Sequence, residues 1–334
     1  ELDRVRGLVP DELPNLLRFR GLGPKRVRAL WKELAIESPD DLEKAIHEGR
    51  VAELKGFGAK TVEKMLASID YFRNNEWTPK PQPQLENLPQ APRSTGVIVA
   101  GTSGYSYPQW KGCFYPDKAR TDDLLKHYAE KLGTVEINNT FYRFPSAKVV
   151  EQWKTLTPEN FQFALKAHRR VTHQMRLSPA TRIRIQEFVD RCSVLGSRLG
   201  CILFQLPPDF ERDDKRLDTL LGSLPEGLRF AVEFRHESWL DESVMKKLAG
   251  QNVACVAGDA EDEAPHEYQT ADFVYARLRK PAYSTGELDQ WDKWFAKQQK
   301  ANRDVLVYLK HDETGAIPLA IHERWVLRNK SLVK

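Results

Sequence analysis

The sequence has no paired cysteines. Its four, Cys113, Cys192, Cys201 and Cys255, are widely scattered, and none has the C-x-x-C spacing of a thiolate zinc site or a redox pair. In a chain of 334 residues they are expected as buried thiols in a reducing compartment, which points to the cytoplasm. No apolar run reaches membrane-spanning length and no secretory leader is read, so no membrane partner is expected. The chain opens on Glu1 rather than methionine, so upstream sequence is expected. No H-E-x-x-H spacing argues for a metal. Gly101-Thr102-Ser103-Gly104 is too short for the G-x-G-x-x-G turn of a dinucleotide fold. The net charge of +4 is too small to argue for nucleic acid by itself.

The charge is uneven, however. Arg18, Arg20, Lys25, Arg26 and Arg28 fall together with no acid among them, and Lys166, His168, Arg169, Arg170, His173 and Arg176 form a second cluster. The first cluster surrounds one of two similar turns, Gly21-Leu22-Gly23-Pro24-Lys25 and Gly56-Phe57-Gly58-Ala59-Lys60. Each has the form G-h-G-x-K, with h apolar, and each opens an amphipathic helix. Backbone N–H groups and the positive end of the helix meet there, the arrangement that receives phosphate. Two such turns about thirty-five residues apart could grip two phosphate strands.

Apolar residues at helical spacing run through residues 1–75: Val27, Leu30, Trp31 and Leu34, then Leu42, Ile46, Val51 and Leu54, then Val62, Met65, Leu66 and Ile69. Over 76–95 the period disappears. Pro79, Pro81, Pro83, Pro89 and Pro92 alternate with polar residues, which predicts a semi-extended linker. From 96 to 334 short β-rich runs alternate with helical patterns. The runs are Gly96–Ala100, Thr134–Asn138, Phe161–Lys166, Cys201–Leu206, Phe230–Phe234, Val253–Ala257, Phe273–Leu278 and Val305–Lys310. Eight such units match a TIM-like (β/α)8 barrel of ~250 residues. The expected architecture is this α/β barrel preceded by a small all-α domain, with an open doubly wound sheet as the competing layout.

A barrel binds its ligand at the carboxyl ends of its strands. The polar residues expected there are Thr102, Ser103, Tyr105 and nearby Trp110; Glu136, Asn138, Asn139 and Tyr142; Lys166, His168 and His173; Gln205; Glu233, Arg235, His236 and Trp239; Asp259; Arg277 and Arg279; and Lys310, His311 and Asp312. Strand alternation turns Val135, Ile137, Val232 and Phe234 toward the helices, which sends Glu136, Asn138, Glu233 and Arg235 inward. Two carboxylates held in different environments could divide acid and base roles, with Lys166, His168, Arg235, His236 and Asp259 as further catalytic candidates. Ser103, Tyr105, Trp110, Asn138, Tyr142, Gln205, Trp239 and Arg277 are candidates for lining a substrate pocket. The same Glu136, Lys166, Glu233 and Arg235 could equally be ion pairs filling the barrel centre. A divalent metal is a further possibility, with ligands among His168, His173, His236, Asp259, His311 and Asp312; no cofactor is identified.

The string from LLRFRGLGPKRVRALWKEL to KGFGAKTVEKMLASI resembles the tandem helix-hairpin-helix module of bacterial family X DNA polymerases. The resemblance implies sequence-independent binding of double-stranded DNA through phosphates, by Gly21, Gly23, Lys25, Gly56, Gly58 and Lys60, with Arg26 beside them. It does not extend to a polymerase catalytic domain, so polymerisation is not implied. The strings GTSGYSYPQWKGCFYP, TVEINNTFYRFP, FALKAHRRVTH, LFQLPPDF, AVEFRHESW and YSTGELDQW resemble the YecE-like family, TIM barrels of unknown function. This chain departs at Arg277-Leu278-Arg279-Lys280 and Lys310-His311-Asp312, and the added positive charge suits a polyanionic ligand. Together these features lead to a DNA-processing hydrolase, nuclease or glycosylase in type, cleaving a phosphodiester or N-glycosidic bond, in DNA repair for example. A non-catalytic DNA-binding adaptor, or a sugar or sugar-phosphate enzyme tethered to DNA, are the alternatives.

Overall fold

A computed structural model of the chain describes residues 16, 22–37, 39–74, 94–260 and 263–327. The chain divides into two units, Glu1–Gln84 and Leu85–Lys334. Most of the stretch expected as a linker lies outside the described residues, as do Arg18, Arg20 and Gly21.

In the first unit the 3.6-residue apolar period produces helices over Pro24–Leu34, Pro39–His47, Arg50–Glu53 and Ala59–Asn74. Val27, Leu30, Leu42, Ile46, Val51 and Met65 meet in one core. The apolar residue of each G-h-G turn joins it: Leu22 is 6% exposed and Phe57 1%. Burying that side chain anchors each turn, while Gly23, Gly56 and Gly58 stay outside. Gly56 has φ +96°, in the left-handed region where glycine is favoured over every other residue.

The second unit is built on a sheet whose strands are β1 (Ile98–Ser103), β2 (Thr134–Ile137), β3 (Gln162–Lys166), β4 (Leu199–Gln205), β5 (Phe230–Glu233), β6 (Ala254–Cys255), β7 (Ala257–Ala260), β8 (Glu263–His266), β9 (Phe273–Leu278) and β10 (Asp304–Leu309). Their order is β6-β5-β4-β3-β2-β1-β10-β9-β7-β8. Every pairing is parallel except β7 with β8. β6 and β7, near opposite ends of that order, are one stretch of chain separated only by Val256, whose N–H still bonds the carbonyl of Val232 on β5. The row of strands therefore returns to itself, and the fold is TIM-barrel-like. Helices such as Leu124–Lys131, Thr181–Cys192, Asp214–Leu221 and Glu242–Gly250 follow the strands.

The β-rich runs correspond to these strands with small shifts: β1 begins at Ile98, and the run at 253–257 extends to Ala260. The antiparallel β8 has no counterpart among the expected runs. The helix expected at Trp291–Lys300 begins at Thr285, where Ser284 and Glu287 form a reciprocal cap.

Alternation along the strands separates two cores. Val135, Ile137, Phe163, Leu165, Val232, Ala276 and Val307 face the helices. Ala164, Cys201, Leu203, Ala231, Tyr275 and Tyr308 fill the barrel interior. Gly101 lets β1 and β2 approach, for a Cβ there would lie 2.0 Å from the carbonyl oxygen of Thr134. Gly101→Ala is expected to cost about 1–3 kcal/mol through that overlap, read as a lower urea midpoint without a change in slope. An unaltered midpoint would mean that β2 can shift freely away. At the amino ends of the strands Arg229 and Asp304, each 5% exposed at the side chain, pair at 2.7 Å.

Candidate functional site

Two places carry chemistry, one in each unit. In the first, Gly23 and Gly58 immediately precede the helices that start at Pro24 and Ala59, and each carbonyl accepts the first helical hydrogen bonds. Gly23, Gly58, Lys25 and Lys60 are all exposed. A Cβ on Gly23 or Gly58 would meet nothing within 4 Å, and neither carries a positive φ. Among the described residues, then, no internal contact demands glycine at either position. What glycine supplies there is bare backbone at a helix start, open to close approach from outside. Arg26 is partly buried with its guanidinium over the Phe57 ring, 5.8 Å from the centroid. It therefore ties the first turn to the second. Gly21 lies outside the described residues.

In the second unit, strand alternation gathers a charged cluster at the carboxyl ends. Glu136, 0% exposed, ends on Arg277 Nη2 at 2.9 Å, Asn138 Nδ2 at 3.0 Å and the Tyr275 hydroxyl at 2.8 Å, all donating to its carboxylate. Arg277, 3% exposed, directs its other Nη at Glu233. One guanidinium thus forks between two carboxylates. Glu233 also accepts from Gln205 Nε2 at 2.8 Å and Arg235 Nε at 3.2 Å. Burial acts to raise the Glu233 carboxyl, but the charges of Arg277 and Arg235 and the Gln205 hydrogen bond outweigh it and hold it below its ordinary value. Arg279 donates to Ser103 Oγ at 3.0 Å and stands 3.6 Å from Glu136.

Lys166, at the end of β3, is 9% exposed. Its Nζ donates to Gln205 Oε1 at 2.7 Å and lies 4.0 Å from the centroid of the Phe141 ring. Burial first, then the Arg277 charge, lowers its pKa to about 8 against the opposing pull of Glu136 and Glu233. The mouth therefore sets four cationic groups, Arg235, Arg277, Arg279 and Lys166, against two carboxylates, an excess of positive charge.

Hydrogen bonds and a ring contact hold the histidines at the rim. His168 accepts from the Arg170 N–H at Nδ1, 3.1 Å, which leaves Nε2 to donate to the Tyr142 carbonyl at 3.2 Å. Burial, reinforced by neighbouring cations, lowers His168, His173 and His311. With both nitrogens engaged, His168 is a positioning group for the β3 turn rather than a free base. His236 uses Nδ1 to cap the turn at Ser238. Tyr142 remains on the rim, 66% exposed. His311 stacks on Tyr107, centroids 4.3 Å apart, and Tyr107 donates to the Ser103 carbonyl.

Four expected mouth residues point elsewhere. Asp259 shares its strand face with Ala257, in the helix-side core, and accepts from Tyr283, from Trp291 Nε1 at 3.1 Å and from the Arg279 N–H at 3.1 Å. It fastens the β9 turn to a helix. Trp110 is wholly buried, donating to the Asp312 carbonyl at 2.8 Å. Trp239 is also wholly buried, donating to the Phe210 carbonyl at 2.6 Å and stacked on Phe234. Tyr105 packs against the helix-side core. Neither tryptophan turns a free face to a ligand. Three of the four cysteines are buried as expected, but Cys113 is exposed. Among the described residues no group of three or more His, Cys, Asp or Glu could hold a metal ion. No helix among them is long and apolar enough to cross a membrane.

Sequence reading overlooked Tyr275 and Tyr107. Tyr275 sits two residues before Arg277 on β9, so the alternation that turned Arg277 inward turns Tyr275 inward too. Tyr107 lies in a turn, where no period marks it.

The family model for a protein of unknown function, DUF72, matches residues 99–329. The chain belongs to the DUF72 family. The model for a SAM-like helix-hairpin-helix tandem matches residues 13–70 ahead of it. The UPF0759 protein YecE of Escherichia coli K12 is 32% identical over 141 residues, 42% of this chain and 49% of YecE, so the match spans about half of that relative's length. A DUF72 protein of known structure from Thermotoga maritima superposes with a TM-score of 0.62 at 25% identity, covering 69% of this chain and 99% of its own. Over the first unit, the DNA polymerase/3'-5' exonuclease PolX of Bacillus subtilis is 37% identical over 68 residues, 20% of this chain and 12% of PolX. The DUF72 barrel is thus joined to a module of the kind that suggests DNA binding.

Proposed function

We propose that this chain is a DNA-binding protein that processes a DNA strand in its barrel mouth. Residues 1–75 would hold duplex DNA through phosphates without reading sequence, 76–95 would act as a spacer, and 96–334 would form a (β/α)8 barrel with 254–260 as its sixth strand. The observation that carries the first half is the pair of exposed, internally unneeded glycines, Gly23 and Gly58, each followed two residues on by an exposed lysine. For the second half it is the excess of cations over carboxylates in the mouth, which favours a ligand with phosphate oxygens. The reaction class proposed is hydrolysis of a phosphodiester or N-glycosidic bond. Glu233 is held ionised, which suits a base or a charge-stabilising group more than an acid.

One observation favours the adaptor reading instead: both carboxylates are already engaged by Arg277. A panel of intact, nicked, base-less and uracil-containing duplexes, incubated with and without Mg²⁺ or Mn²⁺, separates the two. The expected result is product from at least one duplex, lost in Glu136→Gln and Glu233→Gln while duplex affinity is retained. Substrates left intact throughout would establish the adaptor, and full turnover in both variants would remove the glutamates from the chemistry.

A further inference from the structure

Every acid in the barrel mouth is spoken for, and one base is not. Glu136 and Glu233 end on Arg277, Arg279 and Arg235. Lys166 lies among these groups, yet among the described residues no carboxylate comes within ion-pair distance of it. Among the described residues its amine donates to the neutral carboxamide oxygen of Gln205, and its other side faces the Phe141 ring. A buried ammonium without a counter-anion is costly, and its burial favours the neutral amine. A lysine serving only to fill the barrel would be expected to point at one of the two carboxylates. Instead the arginines take both, and the amine is left buried beside the Arg277 charge, a setting in which a lysine is activated as a nucleophile. The same arginines can hold phosphate oxygens beside it.

We infer that Lys166 is a nucleophile that forms an imine with the aldehyde of a phosphate-bearing sugar. The Nζ lone pair attacks the aldehyde carbon, the C=N bond forms, and the carbonyl oxygen leaves as water with the two amine hydrogens. No oxidant, reductant or metal enters this balance. The inference rests on the DNA-processing reading for the source of its aldehyde, the open-chain sugar of a base-less nucleotide. A free sugar phosphate offers the same chemistry.

The expected advantage is large. An amine titrating at about 8 holds roughly 300-fold more free base at pH 7 than an ordinary lysine at about 10.5. Loss of the proton activates the group, so reactivity climbs as pH rises toward 8 and is lost in acid.

The test uses the full chain with sodium cyanoborohydride, which reduces an imine to a stable amine. One arm supplies a duplex with a single base-less site and the other supplies ribose 5-phosphate. Peptide mass mapping then locates the adduct, with duplex binding measured in parallel. An adduct concentrated on Lys166 in the duplex arm supports both the inference and its DNA source. One concentrated on Lys166 with ribose 5-phosphate alone supports the imine and overturns the DNA source. Bound duplex with no adduct in either arm, or label spread evenly over exposed lysines, overturns the inference and leaves DNA binding standing. Because mapping is done on the unaltered chain, no result depends on whether a Lys166 variant folds. Lys166→Met, where it folds, is expected to lose the adduct while still binding duplex through the hairpins.

Discussion

Replacing Arg277 by methionine is expected to destabilise the barrel by about 3–5 kcal/mol, the usual result of removing one partner from a buried ion pair. The size follows from what is left behind. Glu136 has no exposed surface, and Glu233 is 16% exposed at its side chain. Both lose the cation between them, and Arg279 at 3.6 Å and Arg235 at 3.2 Å replace it only in part. The pH dependence should reverse as well. In the natural chain Glu233 titrates below its ordinary value, so its contribution is present at neutral pH and is lost as pH falls through that lowered value. In Arg277→Met, burial without that cation pushes the Glu233 carboxyl up. The folded state then binds more protons than the unfolded one, and the variant weakens as pH rises. Urea unfolding at pH 5 and pH 8, followed by tryptophan fluorescence, reads mainly the barrel unit, which holds six of the eight tryptophans, Trp31 and Trp77 lying in the first unit. A loss below about 1 kcal/mol at pH 8 would mean that the two carboxylates are not held by Arg277 as described.

The same cluster marks how far the sequence could be read. In Val135-Glu136-Ile137 and Ala231-Val232-Glu233 one face is wholly aliphatic, so period-two alternation decides which way the glutamates point, and they point inward. Asp259 sits at a strand end, but it has the parity of Ala257 and so turns to the helix side rather than into the mouth. Trp110 and Trp239 lie beyond the strands, where the alternation no longer applies and a large aromatic serves the core as readily as a pocket. The strand Glu263–His266 was missed because Pro265 interrupts a short run with little apolar content. Lys166 could be placed in the mouth from sequence, but not its lack of a carboxylate. Which cation takes which acid depends on side-chain reach across β2, β3, β4, β5 and β9, and no local pattern encodes it.

Lys25→Ala combined with Lys60→Ala is expected to weaken duplex binding about 60-fold in 0.1 M salt. Each lysine that neutralises one phosphate adds about −0.9 to the slope of log K against log salt, so losing two removes about 1.8 decades at that concentration. The slope itself should become shallower by about 1.8, and the loss should be the same for unrelated duplex sequences, because phosphates carry no base information. Both lysines are exposed, and the helices they begin are held by Leu22, Val27, Phe57 and Met65, so the double variant should keep its stability within about 0.5 kcal/mol. Gly58→Ala provides an independent check on the same contact. Its Cβ would meet nothing in the protein, so stability changes little, yet the methyl stands where a phosphate would approach the backbone. Affinity should therefore fall without a change in slope, since no charge is removed. A shallower slope with the lysine pair and an unchanged slope with the glycine would separate charge from close approach at one turn. Unchanged affinity and slope in both would mean that DNA does not meet these turns.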